Sequence, residues 1–381
     1  MPAWSMNISK AGNGCTGLMP KESPTHVSKS NYSSSTNSMT SKRRLVIFQQ
    51  GGSPMADPIV FERVIDATVD EAFALFTEPE RLRRWQAVSA SVDLKVGGDY
   101  RLTVVPGSIA CGTFAEIDPG KRLVYTWGWQ GTDHDPAPGG SSISVEFEPV
   151  GDQTKVTLTH SGLDDEGATN HSVGWTHFCD RLVVAAEAGD AGLNPWGLDA
   201  EEFDLLTAAE ATWAICRESL MHFGPDDREK STPCEGFTTH DLVEHLMGSM
   251  KGLGAGADAD VPDDVEAVTA EDYIAQAVEP TLAAWRERGT DDMVPFGDGE
   301  APATMMASIL SLEFLIHAWD FAQVTGHPIE VPDGLVAYVQ GLAETVIRPE
   351  YRGEGKGFAT QTTPSSTDPL TVLAAFTGRQ T

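Results

Sequence analysis

The sequence predicts an α+β chain in two parts: an antiparallel sheet clasped by a long helix, then an all-α bundle. Three observations carry this. Residues 57 to 190 hold short runs that alternate apolar and polar residues between Gly, Asp and Pro turns, the period of half-buried strands. After GDAGLNPWG, Gly189 to Gly197, the alternation stops and apolar residues recur every three or four positions, as on helices. Two of those later helical segments carry histidine and glutamate on otherwise apolar faces. At 381 residues the chain is long enough for two domains and a tail.

Residues 1 to 55 are rich in Ser, Asn, Thr and Gly with little periodicity. NYSSSTNSMTSK buries too little apolar surface to offset the entropy of ordering it, so a disordered tail is expected, with Met55 as the true start. The first domain, 57 to 190, opens with PIVFERVIDA, which alternates as an edge strand does. Thr68 caps the short helix of TVDEAFALFTEP, and PERLRRW continues as a second. SASVDLKV, DYRLTVV, ACGTFAEI, RLVYTWGW, SSISVEFEPV and TKVTLTHS follow as strands of an antiparallel meander. NHSVGWTHFCDRLVVAAEAG closes the domain as a long amphipathic helix. Strand, two short helices, several strands, long helix is the order of a helix-grip fold.

The strings VDEAFALFTEPERLRRW, VGGDYRLTV, GTFAEIDPGKRLVYTW and GWTHFCDRLV resemble the SRPBCC (START-like) superfamily. Within it they look most like the AHSA-type branch, named for activators of the heat-shock protein 90 ATPase. The resemblance implies a cavity between sheet and long helix, suited to an apolar ligand. Trp85, Trp127, Trp129, Trp175 and Phe178 are placed to line it or to serve as plain core. A chaperone partner is not expected, since kinship of fold does not carry function. His134, His160, His171 and His177 share no spacing that would build a metal site, and are expected at the surface or in hydrogen bonds.

A linker at 191 to 198 leads to the second domain, 199 to 381. Helices are predicted over 199 to 223, 238 to 250, 269 to 288, 303 to 325 and 332 to 346, with Pro280 as the place for a kink in the third. Thr238, followed three residues later by Asp241, is a capping-box pattern that starts a helix. Leu242, His245 and Leu246 then share its inner face. In SLEFLIHAWDFAQVTG, Leu310, Glu313, Phe314, His317, Phe321 and Val324 fall on one stripe. Glu313 and His317, one turn apart, either bond to each other inside the bundle or grip one ion together. With His245 from a facing helix they make three N/O ligands and an open fourth position, the arrangement of a catalytic zinc site.

PCEGFTTHDLVEHL and LEFLIHAWDFAQVTG together resemble the signature segments of the mycothiol-dependent maleylpyruvate isomerase N-terminal domain, a DinB-like metal-binding four-helix bundle. The resemblance covers about 199 to 380. It implies His245, Glu313 and His317 as metal ligands, zinc or another divalent ion as cofactor, and mycothiol or a similar low-molecular-weight thiol as cosubstrate. A free thiol of pKa about 8.5 is mostly protonated at neutral pH, and a divalent ion with an open position deprotonates it on binding. An S-transferase or isomerase acting on a small electrophile is therefore expected. The alternative is a non-enzymatic small-molecule-binding or stress-response protein with a structural metal. Asp241 and Asp320 either orient the imidazoles or act as capping and solvated acids. Cys234 either approaches the site or is structural. Arg379 either meets an anionic group or, as is more expected, lies at the surface. The isomerase's own substrate does not carry over, because a START-like domain stands ahead of the bundle where that enzyme has a further domain behind it.

Formal charge is −30, and it is uneven: residues 1 to 50 hold six basic residues and one acid, which leaves 20 basic and 55 acidic residues for the rest. A body that acidic repels phosphate backbones, so nucleic acid is not an expected partner. The five cysteines, Cys15, Cys111, Cys179, Cys216 and Cys234, are scattered without a C-x-x-C pair, which fits a reducing cytoplasm better than a disulfide framework. No run reads as a membrane span or a secretory signal. An oligomer is compatible with everything above.

Overall fold

The computed structural model describes residues 55–131, 136–199, 203–234, 236–296, 299–353, 356 and 358–381. The expected disordered tail, Met55 apart, lies outside them, as do Cys15 and His134. The first part is a seven-stranded antiparallel sheet. Strand β1 (Ile59–Ile65) is followed by helices α1 (Val69–Thr77) and α2 (Pro79–Leu82). Then come β2 (Ser89–Val92), β3 (Asp99–Val105), β4 (Ser108–Asp118), β5 (Arg122–Trp127), β6 (Ser141–Val150) and β7 (Gln153–Ser161). The six later strands run as a meander and β1 adds to its far side, giving the order β1-β7-β6-β5-β4-β3-β2. Helix α3 (Asp165–Ala188) lies across the sheet and buries Trp175, Phe178, Cys179, Leu182 and Ala185, one face at helical spacing. This is the helix-grip order read from the sequence. PERLRRW forms only one turn of helix before the chain turns into β2.

The second part is all-α but for one hairpin. It comprises α4 (Leu205–Met221), α5 (Thr239–Ala255), α6 (Ala270–Arg288), α7 (Ala303–Thr325), α8 (Asp333–Val346) and α9 (Pro369–Phe376). Helix α4 packs on α6 and α7, α5 on the same two, and α8 and α9 on α7. The core they share is centred on Trp213, Leu246, Trp285, Phe314 and Phe321. Helix α6 continues through Pro280. The hairpin of β8 (Met293–Phe296) and β9 (Gly299–Pro302) was not foreseen: MVPF and GEAP are too short and too Pro- and Gly-rich to read as strands. Helix α7 has the length and mean hydropathy of a membrane span, but 83% of its apolar window is buried inside the protein. It is apolar on all sides because it is the central helix of this part.

Buried polar contacts join the two parts. Arg83, just after α2, is 3% exposed and donates through Nε to Glu271 Oε1 at 2.7 Å and through Nη2 to Asp272 Oδ1 at 2.8 Å, both on α6. Trp213 of α4 donates its indole N–H to the Val88 carbonyl at 3.2 Å. Glu210 accepts from the Gly107 N–H in the β3–β4 turn at 2.7 Å and pairs with Arg286. The 191–198 segment is itself fastened: Arg181 donates to the Ala191 and Gly192 carbonyls, and Trp196 stacks on His177 with ring centroids 4.0 Å apart.

Candidate metal centre

Two helix starts set the site. The Thr238 hydroxyl accepts from the Asp241 N–H at 3.2 Å while the Thr238 N–H donates to the Asp241 carboxylate at 2.9 Å, so α5 begins at the capping box read from the sequence. That phases α5 so that His245 faces inward beside Leu242 and Leu246. The β8–β9 hairpin delivers the chain into α7, where Glu313 and His317 sit one turn apart. His245 Nε2 lies 3.3 Å from Glu313 Oε2, and His317 Nε2 lies 3.7 Å from the same oxygen. One ligand atom from each of the three residues falls within 4.8 Å of the others. The two imidazole centroids are 5.2 Å apart with planes at 80°, and Phe237 stands edge-on to His245.

Neither approach to Glu313 Oε2 has hydrogen-bond geometry, so this buried oxygen has no hydrogen-bond partner among the described residues. An unsatisfied buried acceptor is costly. A divalent cation in this corner satisfies it, and two imidazoles with one carboxylate are a donor set that zinc takes. Burial opposes charge on Glu313, but the two imidazoles outweigh it and hold its carboxyl well below the usual carboxylate range. Burial likewise opposes charge on His317, yet Asp320 and Glu313 overcome it and lift its pKa to about 9.

The other ring nitrogen of His317 is also engaged. Nδ1–H donates to Asp320 Oδ2 at 2.9 Å, so Nε2 is the atom turned toward Glu313. Asp320 is fully buried and held by Arg379, whose Nη2 donates to Oδ2 at 2.8 Å and whose Nε reaches Oδ1 at 3.2 Å. The guanidinium overcomes burial and keeps the Asp320 carboxyl low. Arg379 is therefore not a surface residue, as its place near the end of the chain led one to expect; it is 8% exposed, because the turn after α9 carries it under α7. Of the two candidate orienting acids, Asp320 meets an imidazole and Asp241 serves the cap. Cys234 is partly buried, with Sγ 4.0 Å from Arg379 Nη2. Arg379 was legible only as a lone cation in TGR, 59 residues beyond its partner.

The sheet part gathers its own rings. Trp175 Nε1–H donates to His160 Nδ1 at 3.0 Å, and His160 Nε2–H donates to Ser141 Oγ at 2.8 Å. His171 lies 4.8 Å from His160 at 90°, with its Nδ1–H donating to the Gly167 carbonyl at 2.8 Å. Burial pushes His160 down to about 3. Trp85, Trp127, Trp175 and Phe178 are buried in the core, and Trp127 packs against Trp129 and Trp175.

Three comparisons with known proteins were made. The family model described as "Activator of Hsp90 ATPase homolog 1-like protein" matches residues 66–187. These residues form an SRPBCC-type domain of that kind. Rv0738, an uncharacterized protein of Mycobacterium tuberculosis, is 30% identical over 163 residues, which span 42% of this chain and 89% of that protein, and MT0763 of a second strain matches to the same extent. The chain belongs to the same family as that protein. Among solved structures, CalU16 of Micromonospora echinospora is 26% identical over 35% of this chain and 77% of its own, with a TM-score of 0.29. PFC0360w, an HSP90 activator from Plasmodium falciparum, is 26% identical over 33% of this chain and 94% of its own, with a TM-score of 0.28.

Proposed function

We propose that the helical part is a DinB-like bundle whose His245, Glu313 and His317 hold a divalent ion, zinc first among the candidates. On this reading the protein is a thiol-dependent S-transferase or isomerase acting on a small electrophile. The observation that carries it is Glu313 Oε2, a buried oxygen with no hydrogen-bond partner among the described residues, set between two imidazole nitrogens. When bound, the ion supplies Lewis acidity that turns a small thiol such as mycothiol into a thiolate at neutral pH. The chain's own residues do the rest. Glu313 and the two Nε2 atoms fix the ion's position. Asp320 anchors His317 through Nδ1–H, so that Nε2 is the nitrogen turned toward the ion's place. Phe237 walls the site beside His245 and limits water there. The AHSA-like domain is assigned the apolar part of the substrate, on the match over residues 66–187.

The test uses the purified full chain. Elemental analysis is expected to find about one divalent ion per chain, lost in His245→Ala. The cobalt-substituted protein is expected to develop a thiolate-to-metal absorption band when mycothiol is added. Metal retained without any such band favours a structural ion and a small-molecule-binding protein. No divalent ion in the wild type sinks the reading.

A further inference from the structure

We propose that Arg379 is the positioning residue of this centre: through Asp320 it sets which nitrogen of His317 faces Glu313. The inference rests on the metal reading above and adds to it a residue from the last turn of the chain.

The geometry is a three-step stack. His317 Nδ1–H donates to Asp320 Oδ2, and Arg379 grips both oxygens of the same carboxylate, Oδ2 through Nη2 and Oδ1 through Nε. A two-point grip fixes the carboxylate plane, which a single contact does not. Without Arg379 the buried Asp320 carboxylate loses both of those contacts and is free to rotate away from Nδ1. That removes the acceptor that anchors the His317 ring. The ring is then free to turn, and Nε2 is no longer held toward Glu313.

Charge points the same way. Asp320 and Glu313 are two carboxylates that serve one imidazole from opposite sides. Arg379 cancels one of them, which leaves Glu313 as the carboxylate without a guanidinium partner beside the two rings. A divalent ion then leaves one positive charge in the corner, matched by a thiolate rather than by a neutral thiol.

The grip is itself held in place. The Arg379 carbonyl accepts from the Thr362 hydroxyl, and the Arg379 N–H donates to the Ala374 carbonyl at 3.0 Å. Arg352 donates to the Phe376 carbonyl at 2.7 Å and lies over the Phe376 ring. The chain after α9 is thus pinned from two sides at the point where Arg379 turns inward.

The experiment compares the full chain with Arg379→Gln and Arg379→Lys, each confirmed as folded by circular dichroism. The first readout is the hydrogen-bonded His317 Nδ1–H resonance in proton–nitrogen spectra, recorded without metal. The second is affinity for cobalt, measured by competition with a chelator. The expected result is that Arg379→Gln loses the resonance and weakens cobalt binding about 10- to 100-fold, the usual cost of losing an outer partner. Arg379→Lys restores the charge but not the two-point grip, so it should recover part of both. Should Arg379→Gln fail to fold, Asp320→Asn serves in its place: Arg379 then has no anion to grip, so the resonance and the cobalt affinity should fall as in Arg379→Gln, and a folded Asp320→Asn protein with both unchanged overturns the proposal. A folded Arg379→Gln protein with an unchanged resonance and unchanged cobalt affinity overturns the proposal. A resonance that depends on Arg379 in a wild type that binds no cobalt upholds Arg379's hold on the ring and removes the metal reading alone.

Discussion

Each half of this molecule sets two imidazoles side by side at nearly the same spacing and angle: 4.8 Å and 90° for His160 and His171, 5.2 Å and 80° for His245 and His317. Their chemistry differs because their neighbours differ. His160 accepts from an indole N–H and donates to a hydroxyl, so a second ring proton would meet the Trp175 donor head-on. It is a neutral core residue. His317 stands between two carboxylates, Asp320 on one nitrogen and Glu313 near the other, and attracts positive charge. A pair of rings is therefore not a metal centre by its spacing. On the metal reading proposed above, the carboxylate between them decides, and among the described residues only the helical pair has one.

The sharpest way to break this comparison is to remove that carboxylate. Glu313→Gln keeps size and a hydrogen-bonding oxygen but takes away the anion, so the helical pair should come to resemble the sheet pair. Divalent-ion affinity is expected to fall by more than the roughly 100-fold upper end of outer-partner losses, with little change in His160→Gln. Equilibrium dialysis of the two variants measures it. Equal retention by Glu313→Gln and wild type would show that the anion is not what distinguishes the pairs.

Acid and base should separate the pairs next, with opposite signs. The folded pKa of His160 is about 3 against an ordinary 6.5, so below 6.5 the unfolded chain binds the extra proton and stability falls as pH falls. That amounts to about 2 kcal/mol by pH 5, and His160→Gln should flatten the acid limb of a denaturant-midpoint profile. The folded pKa of His317 is raised to about 9 from 6.5. Its contribution in metal-free protein is complete below 6.5 and is lost as pH rises through 9. Divalent-ion affinity should climb over the same window as the proton leaves. A midpoint profile that His160→Gln leaves unchanged would contradict the neutral-core account of the sheet pair.

The smallest effect tests whether α5's start matters to chemistry or only to stability. Thr238→Ala removes the cap of the helix that carries His245 and should cost about 1 kcal/mol in urea unfolding. Metal affinity should not move, since Leu242 and Leu246 still hold the inner face of the helix in the core.

Local spacing was enough to read much of this protein. The capping box at Thr238, the inward phase of His245 and the one-turn separation of Glu313 and His317 are set within a few residues, by the 3.6-residue period of the helix. The alternation that marks the strands, and the face of α3 that covers them, are equally local. Other features had no local signature. MVPF and GEAP pair because α6 and α7 bring them side by side, not because either is a strong strand. Arg83 meets Glu271 across 188 residues, and Arg379 meets Asp320 across 59. By itself the sequence determined which residues face inward on each element. Tertiary structure decided which inward-facing charges meet, because a buried ion pair is a matter of distance and desolvation, and neither is carried by the spacing of residues along the chain.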